Sequence, residues 1–140
     1  FLNSVSNSNV PHITIIVGSS IGAGTYAMSG RAYNNRFTFI WPSAKIAVMG
    51  PKQIAGVMSI VRRGQAARKG EKFNEKEDAQ IVAMAEAMQE EGSLALRATS
   101  AISDDGVIDP RDTRSVLGIC LSIVNGKEVE GAPGYGVYRL

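Results

Sequence analysis

The 140-residue sequence predicts an α/β protein with mainly parallel strand pairing. Three observations predict it. Short β-branched runs alternate with longer stretches of helical character, glycines follow the first such run directly, and Gly50-Pro51 marks a helix start right behind another. Ile13–Val17 reads as a buried strand bounded by Pro11 and Gly18, and a helix is expected from about Gly24 to Tyr33. FTFIW (37–41) and KIAVM (45–49) are two further strand candidates, separated by Pro42-Ser43. A helix with proline in its first turn runs from Gly50-Pro51 to about Arg63. The polar, glycine-punctuated segment RRGQAARKGEKFNEKED reads as an exposed linker or lid with a solvated charge run. Glu75–Glu91 forms a long helix whose Ile81, Met84, Ala85 and Met88 lie at core-stripe spacing. After Gly92 a helical stretch continues to about Ser103. DDGVIDP then supplies a turn, a very short strand and a new helix start at Asp109-Pro110. That helix ends near Asn125-Gly126, and the tail EGAPGYGVYRL is irregular.

Composition narrows the function. The length fits one domain, and no apolar run reaches the roughly 18–20 residues of a membrane span. No signal-peptide pattern opens the chain. The lone Cys120 forms no internal disulfide, fits a reducing compartment, and sits in an apolar helix as a buried, inert thiol. The net charge of +2 conceals an asymmetry: residues 1–70 hold eight Lys or Arg and no carboxylate side chain, while residues 71–140 hold seven basic and thirteen acidic residues. The first half therefore offers no carboxylate base, metal ligand or ribose hook. It suits an anionic partner, such as a phosphate, a carboxylate, bicarbonate or an acidic protein face. Nucleic acid is disfavoured, because these cations are neither interleaved with aromatics nor gathered on one helix.

Residues 18–33, GSSIGAGTYAMSGRAY, carry two short signatures. GSSIG matches the nucleophile elbow with Ser20 as nucleophile, and GAGTYA matches a dinucleotide fingerprint. The elbow requires a histidine after the serine, yet His12, the single histidine, precedes it. A Ser–Lys pair with Lys45 or Lys52 has no local spacing behind it. The fingerprint requires an acidic residue about 20 positions on, and the first half has none. Two readings of the glycines stay open. Either backbone N–H groups at a helix start form an oxyanion hole, or the glycines permit tight strand–helix packing.

GSSIGAGTYAMSGRAY, FIWPSAKIAVMGP, DDGVIDPRDTRSVLG and the ending YGVYRL together resemble the carboxyltransferase (beta) subunit of biotin-dependent acyl-CoA carboxylases, most of all its methylcrotonyl-CoA carboxylase branch. MGP also occurs in the propionyl-type branch. The resemblance implies the crotonase fold and places residues 1–140 in the C-terminal part of the second of two carboxyltransferase domains. The acyl-CoA-binding first domain is then absent, and the piece is inactive alone. It implies a carboxyl transfer from carboxybiotin to an acyl-CoA, with biotin acting as the base after loss of CO2. The backbone amides of Ala23 and Gly24 would hold the biotin enolate, and Gly22 would allow its approach. Arg31, Tyr33, Trp41 and Pro42 match family positions that frame the site, and Asp105, Asp109, Thr113 and Arg114 match a motif that caps the next helix through Asp109 and pairs charges. Implied partners are the acyl-CoA, a biotin carboxylase or biotin carrier subunit, and further copies of the chain, as dimers assembled into hexamers. The implied compartment is the cytoplasm, or the mitochondrial matrix in a eukaryote. No metal, nucleic acid or membrane is expected. Lys52, where many relatives carry an acid, and SLALRATSAIS, where aromatics are common, depart from the pattern. Other crotonase-fold enzymes, hydratases or decarboxylases, form one alternative. A hydratase needs a glutamate near its oxyanion hole, and none precedes Glu71. A non-catalytic CoA- or nucleotide-binding module is the other.

Overall fold

In a computed structural model, residues 1–33 and 35–128 are described. The chain runs through α1 (Leu2–Ser6), β1 (Ile13–Ile16), β2 (Ser19–Ile21), α2 (Gly24–Ala27) and a 3-10 turn at Arg31–Tyr33. It continues through β3 (Phe37–Ile40), β4 (Lys45–Ala47), α3 (Pro51–Lys69), α4 (Glu75–Gly92), α5 (Ala95–Ser100) and β5 (Gly106–Val107). A 3-10 turn at Pro110–Asp112 leads into α6 (Thr113–Val124). The motif YGVYRL and the irregular tail lie outside the described residues.

Among the described residues the three strand pairs are parallel, in keeping with the mainly parallel pairing predicted, and an isolated antiparallel bridge joins Lys45 to Leu94. β1, β3 and β5 form one sheet in that order, and β2 pairs with β4 in a second. The two ladders interleave along the chain, because each strand–bend–strand corner stacks on the one before it. β3 lies in register on β1 with Ile13 opposite Phe37, and β4 lies on β2 with Ser20 opposite Ile46. The ladder continues through the bend. Trp41 N–H donates to Ile16 O at 2.9 Å and Lys45 N–H donates to Gly18 O at 3.2 Å. The far edge of β4 is closed by the end of α4, where Ile46 N–H donates to Ser93 O at 2.8 Å.

The core is small and built of small residues. Ile40, Ala44, Ala95 and Ala98 are buried together, with Ile16, Trp41, Ile46 and Val107 packed around them. Alanines on α5 let that helix lie close to β4 and β5. α6 is pinned from the sheet, with Trp41 Nε1 donating to Thr113 Oγ1 at 3.1 Å. The expected cap falls one turn earlier: the Asp109 carboxylate accepts from Arg111 N–H at 2.8 Å and caps the 3-10 turn that leads into α6, whose own N-cap Asp112 makes no side-chain cap bond. Cys120 is buried on this helix, and burial pushes its thiol pKa up, as expected of an inert thiol.

Four local expectations are corrected. The stretch RRGQAARKGEKFNEKED is not a linker: α3 continues through it to Lys69, and α4 begins at Glu75. Its Arg, Gln, Ala and Lys residues are good helix formers, and an exposed Gly64 costs only about 1 kcal/mol. The turn itself is confined to Gly70, left-handed at φ +69°, and the residues up to Asn74, whose side chain accepts from Lys76 and Glu77 N–H. The helix expected over 24–33 stops after four residues, because Ser29 turns left-handed at φ +62°. GSSIG contains a strand, β2, whose pairing partner lies 26 residues further on, beyond the reach of local pattern. Finally, Met84 and Met88 are 66% and 65% exposed, and the buried residue that α4 sets against α3 is Asp78, bonded to Ser59 and Arg62. No helix among the described residues is long and apolar enough to cross a membrane.

Candidate functional site

The glycine stretch folds as strand, sharp turn and helix start. Gly22 N–H donates to Ala47 O at 2.9 Å, completing the β2–β4 ladder, and Gly22 then turns the chain at φ +79°. A Cβ at Gly22 would meet Val48 O at an ordinary 3.7 Å, so the positive φ, not lack of room, calls for glycine. Ala23 follows in helical conformation and caps α2, and both Ala23 and Gly24 are exposed. Thr25 N–H donates to Gly22 O and Tyr26 N–H to Ala23 O, both at 3.2 Å. The amides of Ala23 and Gly24 have no acceptor among the described residues. Two successive solvent-facing donors therefore stand at the point where the resemblance expects an anion to be held. The four-residue helix behind them is too short to contribute much dipole, so any stabilisation rests on the two N–H groups themselves.

The turn is held from both sides. Ser20 Oγ and Thr25 Oγ1 share a hydrogen bond of 2.8 Å between β2 and α2. Beyond α2 the chain doubles back so tightly that a Cβ at Gly30 would lie 2.9 Å from both Thr25 O and the Tyr26 ring. Ser29 is a hub: His12 Nδ1 meets its hydroxyl at 3.0 Å, and its carbonyl accepts from Thr14 Oγ1 at 2.9 Å and Asn35 Nδ2 at 3.1 Å. Arg31 Nη1 donates to Asp105 Oδ2 at 2.8 Å, and the same oxygen accepts from Thr38 N–H at 2.8 Å. Burial pushes the Asp105 carboxyl pKa up, but the Thr38 N–H and the Arg31 guanidinium outweigh it and hold the group below its ordinary value. Tyr33 packs edge-on against Tyr26 with ring centres 6.0 Å apart. Arg31 and Tyr33 make their contacts beside the turn, whereas Trp41 packs on the alanine core and bonds to Thr113 of α6. The Ser29 hub went unread in the sequence, where the one available signal is Ser29-Gly30 as a turn pair.

The two short signatures lose their chemistry here. Ser20 is bonded to Thr25, while His12 lies between Ser29 and Ser8, with Nε2 2.9 Å from the Ser8 hydroxyl. Lys45 is engaged by Glu90, and Lys52 lines a separate groove of about 620 Å³ with Ile21, Pro51, Gln53 and Glu86. An apolar cavity of about 590 Å³ lies along β1 and β2, reaching Tyr26, Arg31 and Ile102, and neither Ala23 nor Gly24 lines it. The charge argument is also corrected. Arg31, Lys45, Arg62 and Arg63 of the acid-free half are paired with Asp105, Glu90, Asp78 and Glu75 of the acidic half. Four of the eight cations in the first half are thus matched internally by carboxylates of the second half.

The sequence profile of the carboxyl transferase domain covers residues 1–133. The chain belongs to the carboxyl transferase domain family. It is 51% identical over 139 residues to the probable biotin-dependent acyl-coenzyme A carboxylase beta2 subunit of Mycobacterium tuberculosis, covering 99% of this chain and 26% of that protein. It is 44% identical over 137 residues to the mitochondrial methylcrotonoyl-CoA carboxylase beta chain of Arabidopsis thaliana, covering 98% of this chain and 23% of that protein. Among solved structures, the beta subunit of P. aeruginosa geranyl-CoA carboxylase superposes with a TM-score of 0.78 at 37% identity, over 99% of this chain and 26% of that one. The transcarboxylase 12S subunit, described as a hexamer assembly, superposes with a TM-score of 0.73 at 27% identity, over 99% of this chain and 25% of that one. The expected α/β crotonase-like architecture of this carboxyl transferase domain therefore stands, and the chain spans about a quarter of the length of these relatives.

Proposed function

We propose that this carboxyl transferase domain is the C-terminal part of the second domain of an acyl-CoA carboxylase beta subunit. In this reading it works on the side of the reaction that receives a carried carboxyl group. The substrate would be an acyl-CoA of the 3-methylcrotonyl or propionyl type, in keeping with relatives named for methylcrotonoyl-CoA, geranyl-CoA and methylmalonyl-CoA. The partners would be a biotin carboxylase or biotin carrier subunit and further copies of the same chain, in the cytoplasm or the mitochondrial matrix. Biotin, bound covalently to the carrier, would supply the carboxyl group and the basic atom.

The observation that carries this reading is the pair of unpartnered amides at Ala23 and Gly24, presented by the positive-φ turn at Gly22. The residues present fit such a group. An oxyanion needs donors already in place and not committed elsewhere, and both amides meet that condition among the described residues. A carried ring also needs close access to backbone, which Gly22 and Gly24 provide without side chains. The acid-free half leaves no carboxylate beside these donors in sequence to repel a developing negative charge. The same feature speaks against a hydratase, whose glutamate is missing here. The ion pairs that engage four of the eight cations of the basic half weaken the argument for a phosphate-binding module.

The test is Gly24→Pro in the full-length subunit, which deletes one proposed donor and changes no charge. Folding is followed by circular dichroism while transfer from a carboxylated biotin carrier to the acyl-CoA is assayed. A folded variant slowed about 10²-fold or more supports anion stabilisation by this turn. Unchanged transfer in the folded variant means the glycines serve packing, and transfer that needs no biotinylated carrier overturns the assignment.

A further inference from the structure

α2 cannot hold its own position. A four-residue helix lies far below the 12–15 residues or so at which an isolated helix becomes even marginally stable, so whatever orients Gly24 must come from outside it. On the upstream side there are two ties, Gly22 N–H to Ala47 O and Ser20 to Thr25. On the downstream side the chain leaves α2 through left-handed Ser29 and passes Gly30, which sits directly on the Thr25 carbonyl and the Tyr26 ring. The next residue, Arg31, reaches across to Asp105 at the entrance to β5. Asp105 is itself rigid, because its carboxylate accepts from Thr38 N–H and its own N–H donates to Thr38 O at 2.7 Å. Arg31 and Asp105 are separated by 74 positions in sequence, yet one hydrogen-bonded ion pair ties the exit of α2 to the β3–β5 edge.

We propose that the Arg31–Asp105 pair is a positioning latch: it presses Gly30 against α2 and thereby fixes the orientation of the Ala23 and Gly24 amides. The proposal rests on the reading of those amides as the anion-holding group. Neither Arg31 nor Asp105 touches the reacting atoms, and both act through the backbone of residues 24–30. The geometry makes the latch specific. Arg31 uses one guanidinium nitrogen, so a lysine can reproduce the bond and an apolar side chain of similar length cannot. Preorganised donors lose their value when they are free to wander, because displacements of about 1 Å can cost as much as 10²-fold in rate.

The experiment compares Arg31→Met with Arg31→Lys in the full-length subunit together with its biotinylated carrier. Hydrogen exchange resolved by peptide is the first readout, since it does not depend on turnover. Arg31→Met is expected to speed exchange of the peptide covering residues 21–29 while peptides from β1 and α4 stay as in the parent. The second readout is the split of steady-state constants. Arg31→Met should lower kcat between about tenfold and 10²-fold with KM for the acyl-CoA within about twofold, and Arg31→Lys should restore most of the rate. If Arg31→Met does not fold, Asp105→Asn takes its place. It keeps an acceptor for Thr38 N–H, loses the charge that holds Arg31, and should show the same pattern more weakly. Unchanged exchange at 21–29 in a folded variant overturns the latch. So does faster exchange there without loss of kcat, or a rate that Arg31→Lys does not restore. Failure of the amide reading is separate: it appears as full activity of Gly24→Pro, whatever Arg31→Met does to exchange.

Discussion

The α3–α4 hairpin and the glycine turn are stabilised in opposite ways. The hairpin consists of helices of 19 and 18 residues joined by a five-residue turn. Its signals are local: proline at the first position of α3, a left-handed glycine at its end, and Asn74 capping α4. Its tertiary contacts repeat along the seam, with Arg62 donating to buried Asp78 at 2.9 Å, Ser59 bonded to the same carboxylate, and Arg63 paired with Glu75. The turn at Gly22–Gly30 has one four-residue helix and two left-handed residues, Gly22 and Ser29, and its constraints come from His12, Thr14, Asn35, Ala47 and Asp105. A region whose stability is local tolerates single losses. One assembled from distant single contacts concentrates its geometry in a few residues.

The contrast can be broken at Gly30. Gly30→Ala places a methyl group 2.9 Å from the Thr25 carbonyl, and backbone on both sides must shift. The expected loss is about 2–3 kcal/mol of stability, seen as a lower midpoint in thermal or urea unfolding, together with faster exchange at residues 21–29. A smaller and differently placed effect is expected in the hairpin. Asp78→Ala removes the acceptor of Ser59 and of a partly exposed Arg62, at a cost of about 1–2 kcal/mol. Its exchange signature should stay within residues 51–92 and leave the glycine turn as it was. Spread to residues 21–29 would show that the two regions are not independent. The smallest effect sharpens the comparison from the other direction. Ile102 is β-branched, exposed and left-handed at φ +56°, in the position after α5 where glycine is the usual residue. Ile102→Gly should stabilise by about 0.5–1 kcal/mol in the same unfolding assay, relief of backbone strain outweighing the added freedom of the unfolded chain.

Much of the architecture is readable from residue pattern. Ile13–Ile16, Phe37–Ile40 and Lys45–Ala47 announce themselves as β-branched or aromatic runs between Pro and Gly, and Asp109-Pro110 announces a capped start. The glycine spacing marks a turn where either backbone donors or tight packing could be the purpose, and the resemblance to the carboxyltransferase subunit is what points to the amides of Ala23 and Gly24. What escaped local pattern has a common cause. β2 is three residues long and exists because β4 pairs with it. α2 is cut short because Ser29 is captured by His12, Thr14 and Asn35. The methionines of α4 face outward because Asp78 takes the side against α3.

The sequence by itself determined the α/β class, the mainly parallel pairing of strands, the site of the sharp turn and the segregation of charge into two halves. Each of these follows from residue type and spacing along a few turns of chain, where backbone preference and hydrophobic period act directly. Only the tertiary structure decided that half of the cations in the basic half pair with carboxylates of the acidic half, that α2 ends after one turn, and that Arg31 is anchored to Asp105. Those outcomes depend on which groups meet across tens of residues. Such meetings are set by the stacking of one strand corner on another, which brings together partners that no local pattern can pair.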